Sequence, residues 1–456
     1  MCMKRATLLL AALLVMDRPA PAAEAPLLIN GTVVAADQII ANGWVAVEGG
    51  KITAVSATRP TLPGAHVLVT KDIVFPGLVD LHNHPLYGIF PRWKPGKTFA
   101  SRYQWRTDPA YHAAIQTPEG KLVTKNFCDM DAYVEIQALA GGTTSILGTY
   151  SPADTPTVPN CIRGLARNLD WASGFHGTGV GKEPITNVLG VRPFDFETLS
   201  PQAVAMQKTG VYDLFAVHLG EGRRDDPDSQ AEFAKLKELK LLGPKTAVIH
   251  GVALSEANFV ELKTAGAAFI WSPRSNFELY GQTADVPAAV RSGVTLALAP
   301  DWAPTGSMNM LAEIVYAHAV SERDFGGLIK PKQLFEMATI IPARIAKVDD
   351  KVGTLKPGLY ADLFLLRGNA ADPFEALTKA TPQDVTLTMV NGVPVYGSAA
   401  NLSALGAEPE TLRICGEARA VSRQTLPSGG FTEVVRRLRT ALTAEKLILA
   451  DVAECP

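Results

Sequence analysis

The sequence predicts an α/β protein: a (β/α)8-type TIM barrel joined to a small β-sandwich domain made from both ends of the chain. Three observations predict it. Short apolar runs of strand length alternate with helical patterns through the middle of the chain. β-rich segments punctuated by turn signals flank that middle. The length, 456 residues with 47% hydrophobic, is ample for one large core and a smaller one, since single cores stop growing at about 250–300 residues.

The amino terminus comes first. Lys4 and Arg5 precede the apolar run Ala6 to Met16, and Pro19-Ala20-Pro21-Ala22-Ala23 follows. This order is that of an export signal cleaved near Ala23. The run falls short of the ~20 apolar residues that a membrane span needs. Residues 1–23 are therefore expected to leave, the mature protein to be secreted or periplasmic, and no stable membrane span to remain.

Cys2 would leave with the signal, and Cys128, Cys161, Cys415 and Cys455 remain. An even number in an exported chain suggests two disulfides. The pairs expected are Cys128–Cys161 and Cys415–Cys455, because each lies within one region. The rival, a zinc site of four cysteines, lacks any C-x-x-C spacing.

Residues 24–72 read as short strands. Leu27-Leu28-Ile29, Trp44-Val45-Ala46-Val47 and Ile52-Thr53-Ala54-Val55 alternate with Asn30-Gly31 and Gly49-Gly50. A similar patch returns in residues 350–398, with Asp362 to Leu366 and Val385 to Val390 before Asn391-Gly392. The two are expected to form one composite β-domain.

Residues 73–349 carry the barrel pattern. Strand-length runs are Ile73-Val74-Phe75, Thr143 to Leu147, Asn187-Val188-Leu189, Leu214 to Val217, Thr246 to Ile249, Ala268 to Trp271 and Val294 to Leu298. Helical stripes fill Gln230 to Leu242 and Glu256 to Ala265. Between Leu147 and Leu214 only one clear run is found, where a full barrel needs two. Tyr87 to Lys125, rich in aromatics and arginine, shows little period of either kind. Residues 399–456 form a carboxy-terminal extension with a helix over Phe431 to Ala441.

Charged residues make up 19%, and the formal net charge is −2. No basic stripe for nucleic acid or an anionic membrane exists. The partner expected is a small-molecule substrate, and a homo-oligomer is compatible with the composition. Serine-hydrolase chemistry is disfavoured, since no G-x-S-x-G occurs. Gly177 to Lys182 fails as a phosphate loop, with Glu183 where Ser or Thr is required. A P-C-x-x-C zinc signature is also absent.

The chemistry is carried by polar residues at the ends of strand runs. Asp80-Leu81-His82-Asn83-His84 follows an apolar run, and residues two apart in a strand share a side, so His82 and His84 project together. Leu214 to Val217 ends at His218, Thr246 to Ile249 at His250, and Val294 to Ala299 leads through Pro300 to Asp301. The carboxyl ends of barrel strands converge on one mouth. Four of only eight histidines stand at such ends. Imidazoles and a carboxylate gathered there suit a divalent metal.

This order of ligands, with PGLVDLHNH (Pro76 to His84), VHLGEG (Val217 to Gly222), IHGV (Ile249 to Val252), SPRSN (Ser272 to Asn276) and APD (Ala299 to Asp301), resembles the amidohydrolase superfamily. The likeness extends from Leu27 to Gly397, including GTLKPGLYAD (Gly353 to Asp362). His218-Leu219-Gly220-Glu221 is similar to the branch with one metal ion, which holds nucleobase and nucleoside deaminases, triazine hydrolases and imidazolonepropionase-like enzymes. The resemblance implies that His82, His84, His218 and Asp301 bind one zinc or iron ion, that Glu221 shuttles protons, and that His250 orients the attacking hydroxide. Bound zinc lowers the pKa of its water to about 7. Asp301 can then accept the proton of that hydroxide, and Glu221 can protonate the leaving nitrogen.

The function expected is therefore hydrolysis of a non-peptide C–N bond, by deamination or cyclic-amide opening, in a small cyclic substrate. Two rivals remain at this point: a two-metal amidohydrolase acting on dipeptides or lactones, for which Lys182 is the nearest bridging lysine, and a metal-holding binding protein without turnover. Arg274, Asn276, Trp302 and Trp105 are candidate substrate contacts. Tyr103, Arg102 and Arg106 are candidates for a lid beside Trp105. His66, His112, His176 and His318 are read as structural.

Overall fold

A computed structural model of the chain describes residues 25–148, 165–169, 191–195, 201–208, 214–426 and 429–455. The export signal, Cys161, His176, Lys182 and the run Asn187 to Leu189 lie outside the described residues.

Strands from both chain ends join in one nine-stranded sheet. They are β1 (Leu27–Val34), β2 (Ile39–Glu48), β3 (Lys51–Ser56), β4 (His66–Pro76), then, later in the chain, β13 (Leu363–Leu366), β14 (Val385–Val390), β15 (Val393–Gly397), β16 (Pro409–Ile414) and β17 (Glu417–Ser422). The order is β16-β17-β15-β14-β13-β4-β1-β2-β3. β1 runs parallel to β4, and β13 pairs antiparallel with β4, Phe364 opposite Phe75. Successive side chains of a strand face opposite ways. On β13, Leu363 and Leu365 accordingly enter one core with Ile29, Val45 and Leu402, while Phe364 and Leu366 enter the larger core with Phe75 and Leu139. The sheet thus seals the base of the other body with one face.

That body is built from parallel strands. β5 (Leu78–Asp80), β6 (Thr143–Ile146) and β7 (Arg167–Asn168) form one sheet. β8 (Val191–Asp195), β9 (Leu214–Leu219), β10 (Thr246–His250), β11 (Ala268–Trp271) and β12 (Thr295–Leu298) form another, in that order across it. Helices Pro227–Glu238, Glu256–Thr264 and Val286–Ser292 link its later strands. β9 to β12 are nearly all apolar because strands covered on both faces have no wet side. The two sheets meet beyond β12: Asn83 bridges Asp301 in parallel, the Asp301 N–H donates to the His82 carbonyl at 3.1 Å, and the His84 N–H to the Asp301 carbonyl at 2.8 Å.

Three expectations change. Ile73-Val74-Phe75 does not begin the parallel body: it is the end of β4, paired with β13, and the first parallel strand is the three-residue β5. An apolar run cannot tell which of two cores it enters. The interval from Leu147 to Leu214 holds β7 and β8, and β7 escaped notice because its two residues are Arg and Asn. Tyr87 to Lys125 is substantially helical, with short helices Arg102–Trp105 and Pro109–Tyr111 and the start of the helix Thr117–Leu139. From Asp129 to Leu139 that long helix is buried on every side and shows no polar stripe, whereas its first turns expose Thr117, Gly120, Lys121, Thr124 and Lys125 and bury Pro118 and Leu122.

The carboxy-terminal residues add β16, β17 and the helix Gly430–Ala444. Cys415 and Cys455 are joined by a disulfide, as expected, with Cα atoms 5.3 Å apart. No helix among the described residues is long and apolar enough to cross a membrane.

Candidate active site

The parallel strands deliver the predicted residues to one place. β9 carries His218, β10 ends at His250, and His82 and His84 follow β5. A tight turn shapes the last pair. The buried Asp80 carboxylate accepts the His82 backbone N–H at 3.0 Å and the Asn83 side-chain amide at 2.7 Å. Gly148 presses against this turn: a Cβ there would lie 1.6 Å from the Asn83 carbonyl oxygen. His250 and Asp301 both adopt φ of 69°, a region that side chains rarely occupy and that clusters at functional sites.

Nitrogen and oxygen atoms converge in the middle. His82 Nε2 lies 2.9 Å from His218 Nε2 and 3.4 Å from Asp301 Oδ1, and His84 Nε2 is 3.7 Å from the same oxygen. Two triads, His82–His218–His250 and His82–His84–Asp301, each hold their ligand atoms within 4.8 Å of one another. All of these residues are buried except half-buried His84. Burial, then the neighbouring His218 and His250, hold His82 well below the usual imidazole range. A neutral imidazole offers a lone pair, so the donor set fits a divalent cation, which the described residues alone could hold. Burial, and then Glu221, raise Asp301 well above the carboxylate range, a state that a cation would reverse.

Partners behind these groups orient them. Ser272 Oγ is 3.3 Å from His82 Nδ1, and Ser275 Oγ donates to Asp301 Oδ2. Asn276 Oδ1 lies 3.0 Å from His250 Nδ1, fixing which face of that ring turns to the site. Glu221 Oε2 is 3.6 Å from His250 Nε2 and 3.2 Å from Arg102 Nη1, and Tyr280 donates to Glu221 Oε1 at 2.6 Å. Burial would raise Glu221, but His250, Arg102, His218 and the Tyr280 bond outweigh it and hold the carboxyl at about 2.

Residues 87–111 cross the mouth of this site. The Trp93 N–H donates to Pro304, the Phe99 N–H to Leu279 and the Arg102 N–H to Glu221, each to a backbone carbonyl. They close a cavity of about 180 Å³ lined by His84, His218, Glu221, His250, Asp301 and a wall of Tyr87, Trp105, Tyr111 and Trp302 with Arg102 and Arg106. The Trp105 and Trp302 rings stack at 5.5 Å, and Tyr87 meets Trp302 edge-on. A larger cleft, about 1030 Å³ beside β16 and the helix Gly430–Ala444, touches none of these groups. We place the chemistry in the smaller one because the convergent polar groups are there.

Trp105 and Trp302 therefore line the site. Asn276 does not: it is buried and touches His250 and Thr283 instead. Arg274 turns away, its guanidinium on Glu454 at 2.5 Å and over the Tyr316 ring. On the helix Pro273–Tyr280, Arg274 and Asn276 are two residues apart and cannot share a face. Tyr103 bonds Glu232. Sequence reasoning passed over Ser272, Ser275 and Tyr280. The i, i+4 spacing of Asn276 and Tyr280 was the available signal for the last.

The family model of the amidohydrolase family matches residues 73–395. The chain belongs to the amidohydrolase family. It is accordingly a metal-dependent hydrolase of C–N bonds other than peptide bonds. It is 31% identical over 340 residues to a 5-methylthioadenosine/S-adenosylhomocysteine deaminase of Teredinibacter turnerae, covering 69% of this chain and 74% of the relative. In structure it is similar to a zinc-bound adenosine deaminase from Xanthomonas campestris, with TM-score 0.66, 18% identity, and 93% and 100% of the two chains covered. It is similar also to a mutant atrazine chlorohydrolase from Arthrobacter aurescens complexed with zinc and atraton, with TM-score 0.68, 15% identity, and 91% and 99% covered.

Proposed function

We propose that the chain deaminates a small heteroaromatic amine with a single zinc ion held by His82, His84, His218 and Asp301. One observation carries this reading: imidazoles and carboxylates from the ends of β5, β9, β10 and β12 meet at one aromatic-walled cavity. The named deaminase relative and the zinc-bound structural neighbours support the choice of reaction and metal. When bound, zinc lowers the pKa of water to about 7.

The chain's own groups do the rest. Asp301, clamped by Ser275, is placed to take a proton from the attacking water. His250, its ring fixed by Asn276, presents Nε2 toward Glu221 and can hydrogen-bond the attacking oxygen. Ionised Glu221 can accept a proton and pass it to the leaving nitrogen. Trp105 and Trp302 offer flat faces beside these groups, where a planar ring would pack and exclude water. We read β5 to β12 as a closed eight-stranded barrel, which the Asn83–Asp301 bridge and the structural likeness support, and the nine-stranded sheet around the core of Ile29, Val45 and Leu402 as a small β-sandwich domain from both chain ends. Residues 1–23 are proposed to be an export signal, which terminal sequencing of the mature protein would test.

The deciding experiment pairs elemental analysis with ammonia release from 5-methylthioadenosine, S-adenosylhomocysteine, adenosine and guanine. The expected result is about one zinc per chain, lost in His82→Ala, and turnover of at least one of the four. Two metals per chain would favour the two-metal rival. No metal after loading, or no ammonia from any of the four, would overturn the proposal.

A further inference from the structure

The helix Pro273–Tyr280 turns one face toward the proton-handling groups. Asn276 meets His250 at 3.0 Å, and one turn later Tyr280 meets Glu221 at 2.6 Å. Residues four apart on a helix lie one above the other, so one rigid element sets both groups at once. Tyr280 is 1% exposed and Glu221 3%, so water does not compete for this bond. The Tyr280 hydroxyl is itself engaged: the Trp105 indole N–H donates to its oxygen at 2.9 Å. A phenol that accepts one hydrogen bond donates its own proton in a defined direction and more strongly. Trp105 in turn lines the cavity. A chain of two hydrogen bonds therefore runs from the aromatic wall to Glu221. On the opposite flank, Arg102 Nη1 holds the other carboxylate oxygen at 3.2 Å, and the Arg102 N–H is tied to the Glu221 carbonyl.

We infer that Tyr280 is a positioning residue for Glu221, and that Trp105 reports ring stacking in the cavity to Glu221 through the Tyr280 hydroxyl. The inference rests on the reading of Glu221 as the proton-transfer group. Tyr280 is buried behind the cavity wall, so its effect appears in turnover rather than binding. Misplacing a catalytic group by about 1 Å can cost on the order of 100-fold in rate.

The test uses the full-length, metal-loaded protein and the member of the four-compound panel that it deaminates fastest. Tyr280→Phe keeps the ring and removes the hydroxyl. It is expected to lower kcat by about 10- to 100-fold with KM within about twofold. Trp105→Phe keeps an aromatic wall and removes the indole donor. It is expected to lower kcat in wild type and to lower it by a clearly smaller factor in the Tyr280→Phe background, where the hydroxyl it acts through is gone. Independent, multiplying effects would overturn the inference, as would a kcat for Tyr280→Phe within about twofold of wild type. Glu221→Gln separates the two claims. If it retains kcat, the reading of Glu221 fails; if it is inactive while Tyr280→Phe is fully active, only the present inference fails. A readout free of turnover is the crystal structure of Tyr280→Phe. A Glu221 carboxylate displaced or split between conformers supports the inference, and one unmoved within about 0.5 Å overturns it.

Discussion

Replacing Asp362 by Asn should destabilise the protein heavily, because it removes the charge that balances a buried guanidinium between the nine-stranded sheet and the parallel body, leaving it neutral partners such as Asn391 Oδ1 at 3.3 Å. Arg167 on β7 reaches Asp362, 195 residues away, with Nε to Oδ2 at 2.5 Å and Nη2 to Oδ1 at 3.1 Å. The same carboxylate accepts the Asn391 N–H at 2.7 Å, and the guanidinium lies 4.1 Å from the Tyr360 ring centroid. The side chains are 1% and 2% exposed. Asn preserves volume but not charge, and arginine does not deprotonate in proteins. Breaking one partner of a buried pair costs about 3–5 kcal/mol. The two-pronged geometry and the third hydrogen bond place this pair at the upper end. Removing both charges is different: Arg167→Met with Asp362→Leu leaves no stranded ion and should cost far less than the two single losses together. Urea unfolding followed by circular dichroism, on wild type, Asp362→Asn, Arg167→Met and the Arg167→Met/Asp362→Leu pair, measures these terms. An Asp362→Asn variant within about 1 kcal/mol of wild type would refute the reasoning. So would a double variant as unstable as the two single losses summed.

Other expectations follow from the same geometry. Asn276→Ala frees the His250 ring and should lower kcat by about 10- to 100-fold while metal content persists; elemental analysis beside ammonia release checks it, and an unchanged kcat removes the orienting role. Gly148→Ala would push a methyl into the Asn83 carbonyl from a backbone φ of 109°. Both zinc per chain and the thermal midpoint should drop, and retention of both would show that the H-x-H turn can shift freely. Burial raises Glu232 from 4.5 to about 7, despite its bonds from Tyr103 and Gly220. Between those two values the folded state binds more protons than the unfolded, so stability falls as pH rises through that window and the loss is complete above it. At about 1.4 kcal/mol per unit the loss is about 3 kcal/mol. Glu232→Gln should flatten the thermal midpoint between pH 5 and pH 8, and an equally steep profile would reject the assignment.

The sequence alone determined where the chemistry sits along the chain. Strands buried on both faces are apolar throughout, so polar residues just beyond each run mark a strand exit. His82, His84, His218, His250 and Asp301 were legible for that reason, and Glu221 through its spacing from His218. Tertiary structure decided what stands behind and around them. Asn276, Tyr280 and Ser275 find their partners 26 to 59 residues away, and no local period encodes such a meeting. Arg274 looks as polar and as near the site as Asn276, yet it faces Glu454, because direction around a helix depends on where that helix docks. Ile73 to Phe75 joined the outer sheet for a related reason. An apolar residue records that it is buried, and only packing records in which core.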